Sequence, residues 1–256
     1  AKDYHSYILT FVILGILMIG FLVLFLLTVN ETKMNKEFLE KYGEEEEEEL
    51  EVNGKMPKDV KKSFILILLS VVFWFMAYNA ATSKFSVYSG LVLNTLFTTP
   101  LIVAQAVAVI SYIPIGFLAG KIGRKKTVLI GVGTLFIAFL LASFLTENSR
   151  GLIYVAMGFA GLGWATINVN SYPMVVEMSR SSNIGKYTGY YYTASMAAQI
   201  ITPLLSGALI DGSIISGINI RGLFPYCSVF AALAFITMLF VKHGDVHEPR
   251  KVKENV

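Results

Sequence analysis

Six polar side chains interrupt one apolar run of this chain: Thr188, Tyr192, Ser195, Gln199, Thr202 and Ser206. Their spacings alternate between four and three residues, which is the repeat of one face of an α-helix. Such a stripe of hydroxyl, phenol and amide groups can hydrate or hold a polar solute. It holds no histidine, thiol or carboxylate with which to ligate a metal or activate a nucleophile. Three other apolar runs carry polar groups: Trp74, Tyr78, Asn79 and Thr82; Gln105, Ser111 and Tyr112; and Trp164, Asn168, Asn170, Ser171 and Tyr172 beside Pro173. Side chains of these types also bond across helix contacts within membranes, for about half to two kcal/mol each, and any one of them is open to that structural reading. Six positions in register exceed what packing requires and point to a water-filled cavity. The residues expected to bind a solute there are Trp74, Tyr78, Asn79, Thr82, Gln105, Asn168, Asn170, Tyr192, Ser195 and Gln199.

Other chemistries find little support. No Ser–His pair, acidic dyad or metal cluster falls within the apolar runs, so an intramembrane enzyme is the least supported class and no cofactor is implied. His243 and His247, at i,i+4 beside Asp245 and Glu248, have a spacing that could suit a metal, but the reading adopted is a solvated tail. Cys227 is the single cysteine, which leaves no disulfide framework within the chain.

The elements that must position the polar groups are membrane spans. Of 256 residues 55% are hydrophobic and 15% charged, with a mean hydropathy of +0.62, whereas soluble domains carry about a quarter charged residues. Apolar runs cover Tyr7–Val29, Ser63–Thr82, Leu96–Gly120, Thr127–Thr146, Leu152–Met178, Thr188–Ile210 and Phe224–Val241. Each is close to the ~20 residues that cross a bilayer as a helix. The reading is an all-α, multi-pass membrane bundle of seven transmembrane helices, which excludes soluble enzymes and nucleic-acid binders. The first run lacks the basic flank and cleavage site of a signal peptide. The chain starts at Ala1 and reads as a piece cut from a longer protein.

Polar groups fall in the second, third, fifth and sixth runs. The first, fourth and seventh have no amide or charged side chain, so every third helix is expected to face lipid. Gly116 with Gly120, and Gly158, Gly161 and Gly163, are expected to allow close backbone approach. Pro114, Pro173 and Pro203 interrupt three of the polar runs. Tyr190 and Tyr191 read as an interfacial belt.

Seventeen of the 21 Lys and Arg residues lie in one set of alternate connections, and only Lys2, Lys84, Arg150 and Arg221 in the other. The positive-inside rule then puts the amino end outside and the carboxyl end in the cytoplasm, in the cell membrane. This asymmetry accounts for the pI of 8.8 without a polyanionic partner. The expected organisation is a lone peripheral helix over 1–29, a cytoplasmic linker over 30–62, a six-helix bundle over 63–242 and a cytoplasmic tail over 243–256. The linker holds 11 acids and 7 lysines, including the run Glu44–Glu49, and reads as solvated.

Between the third and fourth runs the chain reads Gly116, Phe117, Leu118, Ala119, Gly120, Lys121, Ile122, Gly123, Arg124, Lys125, Lys126. This resembles the signature loop of the major facilitator superfamily, G-x-x-x-D-x-x-G-R-R/K-R/K, with Gly120 where the family has aspartate. After the fifth run, Tyr172, Pro173, Glu177 and Arg180, followed by Gly185 and Lys186, are similar to the family's acidic motif at the turn between its tenth and eleventh helices. The resemblance implies that the seven runs are the family's sixth to twelfth helices, half of a major facilitator fold. The family places its sixth, ninth and twelfth helices outermost, the three that polarity marks as plain. It further implies a cytoplasmic gate of Gly116, Gly120, Gly123, Arg124, Lys126, Glu177 and Lys186, with Glu177 paired to Arg124. Helix two and the stretch Tyr172 to Tyr192 look most like the glycoside and sucrose-type cation symporters.

The function this implies is secondary active transport of a small solute, a sugar, coupled to a cation, the proton. The partners are then the lipid bilayer and the missing amino-terminal half of the transporter. A seven-helix receptor and a non-transporting scaffold are the alternatives. A retinal pigment would need a lysine buried in the last helix, and none precedes Lys242 there.

Overall fold

A computed structural model describes residues 2–30, 33, 36, 57–178, 184–210 and 219–244. The acidic run Glu44–Glu49, Arg180, Asp211, His247 and the tail beyond residue 244 lie outside the described residues. Among the described residues there are no strands, and seven helices are long and apolar enough to cross a membrane. The chain divides into two units, Ala1–Glu48 and Glu49–Val256. The first contains α1 (Lys2–Thr28), whose described apolar side chains, from Ile8 to Leu27, are exposed.

The second unit holds α2 (Lys58–Leu91), α3 (Thr98–Ile122), α4 (Arg124–Ser143), α5 (Leu152–Val176), α6 (Ile184–Ile210) and α7 (Leu223–Leu239). At 34 residues, α2 is about 50 Å long and exceeds a hydrocarbon core of about 30 Å. The apolar pattern places its end near Thr82, but no proline follows until Pro100, and the helix runs on through Ser83 to Leu91. Lys84 therefore belongs to the helix and not to a connection. It is half-buried, with its ammonium beside Gly207 of α6.

The packing has an internal symmetry. α3 packs on α5 as α6 packs on α2; α4 packs on α5 as α7 packs on α2; and α4 and α7 pack on each other. Exchanging the triplet α2–α4 with α5–α7 leaves this set of neighbours unchanged. Three consecutive spans return the chain on the opposite side, so the axis relating such triplets lies in the membrane plane, as in inverted transporter repeats.

Burial refines the expectation that plain helices face lipid: α4 and α7 bury one face and leave Ile130, Ile137, Val229 and Ile236 exposed on another. The central stretches of α4 and α7 are each 44% buried, whereas α3 and α6 are only 17% and 22% buried. Apolar surface is equally suited to lipid and to a neighbouring helix, so composition does not separate the two. α4 and α7 use theirs against the bundle, where Phe139 and Phe224 are fully buried and Tyr88 sets its ring edge on Phe224 at 4.7 Å.

The glycine expectations divide similarly. A Cβ on Gly116 or Gly120 would meet nothing within 4 Å, so that G-x-x-x-G pair is not a packing motif here. Gly161 lies directly against the Ala104 backbone of α3, and Gly163 against Gly131 of α4. At the reversal between α3 and α4, Gly123 takes φ +92°, a conformation that favours glycine. Its N–H donates to the Ala119 carbonyl at 3.0 Å, and its own carbonyl accepts from the Thr127 N–H and hydroxyl. One residue thus ends one helix and begins the next.

His243 is not part of a solvated tail. Its Nδ1 lies 2.9 Å from the Ser63 hydroxyl, and the Lys242 N–H donates to that same oxygen at 3.1 Å. Two turns further in, the Ser70 and Thr237 hydroxyls meet at 2.7 Å. The start of α2 and the end of α7 are fastened together by these bonds.

Candidate functional site

Tyr78 of α2, Gln105 and Tyr112 of α3 and Trp164 of α5 come together in an aromatic cluster. Tyr78 of α2 and Trp164 of α5 stack face to face, with ring centroids 4.0 Å apart and planes within 7°. Phe75, almost one turn below Tyr78, sets its edge on the same indole at 5.1 Å. Just before Trp164, Gly161 and Gly163 bring α5 close to α3 and α4, on either side of this contact with α2. Trp164 is half-buried, so part of its ring remains accessible. The cluster lies 13 residues up α5 from Glu177, about 20 Å along the helix.

Two groups in this cluster have unmet hydrogen-bonding capacity. The Trp74 Nε1 and the Tyr78 hydroxyl, one turn apart on α2, are both buried without a hydrogen-bond partner. Gln105 of α3 is the side chain placed to hydrogen-bond the Tyr78 hydroxyl, though beyond ordinary hydrogen-bond length, and Tyr112 lies within electrostatic reach of it. A buried polar group without a partner costs roughly 1–3 kcal/mol, and the indole N–H can only donate. Something with an acceptor is needed there.

The amides behave more locally. Asn79 donates to the Phe75 carbonyl, Asn168 to Trp164, and Asn170 to Thr166, each one turn back on its own helix at 2.8 to 2.9 Å. Thr82 donates to the Tyr78 carbonyl in the same way. Asn79, Thr82 and Asn168 are half-buried, while Asn170 is sealed in the α5 interface.

The polar stripe of α6 does not stay on one surface. Ser195, Thr202 and Ser206 are buried, with Ser195 bonded to the Tyr192 carbonyl and Thr202 to that of Ala198. Tyr192 and Gln199 are exposed, and Thr188 accepts or donates a bond with the Tyr172 hydroxyl at 3.0 Å. The stripe straddles the edge of the α6 contact, half of it inside and half outside. Gln105 of α3 is likewise exposed. Tyr191, expected at the interface with Tyr190, is instead buried, its hydroxyl 2.9 Å from that of Ser171; only Tyr190 is exposed.

At the basic end, Arg124 Nη1 and Glu177 Oε1 form an ion pair that joins the start of α4 to the end of α5. Both side chains are partly exposed. Lys126 and Lys186 are exposed, and Lys125 turns aside to donate to the Leu239 carbonyl of α7 at 3.0 Å. Of the residues set aside for the gate, the structure joins Arg124 to Glu177 and puts Gly123 at the reversal. Gly116, Gly120, Lys126 and Lys186 stand on the surface.

Sequence reasoning left Trp164 out of the solute-binding set. The signal available for it was the glycine pattern just before it, which predicts a crowded crossing and hence a ring held against a neighbouring helix.

Paired three-helix repeats around a partly accessible aromatic and polar cluster are the architecture of a membrane transporter. Residues 87–255, well over half of the chain, match the family model of the Major Facilitator Superfamily, and the chain belongs to that superfamily. It is a multi-pass membrane transporter acting on a small-molecule substrate. No curated protein matches the chain.

Proposed function

We propose that the chain is the carboxyl-terminal half of a secondary transporter that moves a sugar coupled to a cation, the proton. The observation that carries this reading is the Tyr78–Trp164 stack with the unpartnered Trp74 Nε1 and Tyr78 hydroxyl beside it. A sugar presents an apolar ring face to the accessible indole and hydroxyls that both accept and donate. Gln105, Tyr192 and Gln199, exposed on α3 and α6, are costly against lipid and suit a hydrated route covered by the other half. No carboxylate lies midway along a span among the described residues, so the coupling carboxylate belongs to that other half. The basic end faces the cytoplasm, where the Arg124–Glu177 pair closes one state of the cycle.

The experiment is sugar binding to the full-length transporter. Trp164→Ala weakens binding about tenfold, the upper range of one aromatic contact, and Trp164→Phe restores part of it. Unchanged affinity in Trp164→Ala removes the cluster from the substrate site. Reconstituted alone under a proton gradient, this chain gives no saturable uptake, and uptake would overturn its assignment as a half.

A further inference from the structure

The four cations at the α3–α4 reversal divide into two kinds. Arg124 is paired with Glu177, and Lys125 reaches inward to the Leu239 carbonyl. Lys121 and Lys126 are exposed, and neither meets a carboxylate or carbonyl among the described residues. These two stand over one cleft of about 410 Å³, whose other walls are Ile122 and Ile130. The position where the superfamily resemblance places an aspartate is Gly120, so no acid in the loop neutralises them.

Below each lysine runs an apolar track. Ile110, Ile113 and Phe117 precede Lys121 at helical spacing, on the same face of α3, and all three are more than 70% exposed. Ile130 and Ile137 follow Lys126 on one face of α4, and both are also exposed. α3 and α4 touch each other only lightly, and the two tracks run inward from the cleft, one on each helix. Gln105 and Tyr112, which act on Tyr78, lie on the opposite side of α3 from Lys121 by helical spacing.

We infer that this cleft binds an anionic phospholipid, with the phosphate between Lys121 and Lys126 and the acyl chains along the two tracks. The inference rests on the membrane placement of the bundle and not on the sugar reading. A free phosphate would use the lysines and ignore the tracks. A zwitterionic lipid would use the tracks and leave the two positive charges uncompensated. A lysine near an anionic headgroup contributes about a factor of five in affinity, so the pair favours phosphatidylglycerol over phosphatidylcholine by about 25-fold.

The test is native mass spectrometry of the whole chain in detergent, titrated in turn with phosphatidylglycerol, phosphatidylcholine, and glycerol 3-phosphate as the headgroup without chains. The expected result is one phosphatidylglycerol retained about 25-fold more tightly than phosphatidylcholine. Lys121→Gln/Lys126→Gln removes the preference, and Lys121→Arg/Lys126→Arg keeps it. A parallel change at two exposed lysines elsewhere on the same face, Lys62→Gln/Lys186→Gln, leaves the preference intact. Three results would overturn the inference: equal affinity for the two lipids, equal loss from the Lys62/Lys186 change, or glycerol 3-phosphate binding as tightly as the lipid.

Discussion

Adding a single methyl group at Gly161 tests whether the α3–α5 crossing is what shapes the proposed substrate site. A Cβ at this position points into the Ala104 carbonyl, whose carbon would stand 2.8 Å away and whose Cα 3.0 Å away. Ordinary contact begins at 3.4 Å, so the helices must part by at least 0.6 Å, and by more to clear the oxygen. All of these atoms are backbone, so no rotamer change relieves the clash. Overpacking of this kind costs about 1–3 kcal/mol. The same displacement carries Trp164 and Gln105 apart, since they follow Gly161 and Ala104 by three residues and one residue. Gly161→Ala is therefore expected to lower the thermal unfolding midpoint of the detergent-solubilised chain and to weaken substrate binding in the full-length transporter. Gly158→Ala, whose Cβ meets only Val103 and Val107 at 3.9 Å, serves as the neighbouring control, and Gly116→Ala, facing open space, as the exposed one. Both controls should unfold within experimental error of the parent. If Gly161→Ala unfolds with them, the helices do not approach as closely as described and the reasoning fails.

Glu177→Gln removes the ion pair with Arg124 and is expected to slow transport while leaving substrate affinity nearly unchanged; unchanged transport rates would reduce the pair to a solvated helix end. Both partners are partly exposed, so its effect on stability stays under about 1 kcal/mol by chemical or thermal unfolding. Ser63→Ala deletes the hydroxyl shared by His243 and the Lys242 N–H, and a loss of about 1–2 kcal/mol is expected in the same assay. A neutral Ser63→Ala would show that the α2–α7 contact is held by its apolar residues alone.

The spans were legible because a bilayer demands long apolar runs, and their order in the chain needed no tertiary information. The Arg124–Glu177 pair could be reached through resemblance, because both residues sit in recognisable loops. Contacts between faces were less legible. Gly161 and Gly116 have the same residue type and similar surroundings in sequence, yet one is pressed against a backbone and the other faces open space. Only the rotation of each helix decides that, and in membranes hydropathy does not report rotation, since lipid and protein neighbours are equally apolar. The same ambiguity hid the burial of α4 and α7. The α6 stripe had a true helical period, but period alone does not tell the middle of a contact from its edge. His243 was misread for another reason: its partner Ser63 lies 180 residues away, beyond any local pattern.

That long-range fastening bears on how the protein is made. The bundle begins with α2 and is closed by α7, and the buried face of α2, from Ser63 through Ser70 to Tyr88, rests on residues synthesised some 140 to 180 residues later. During translation, α2 must wait in the bilayer with this face against lipid, or against whatever insertion machinery shields it, while five further helices emerge. The seam between α2 and α7 closes last, once His243 has cleared the ribosome. A chain that stalls or is cut within α7 leaves every earlier helix made and the seam open, with the Ser63 and Ser70 hydroxyls facing hydrocarbon. Such products are natural targets for membrane quality control.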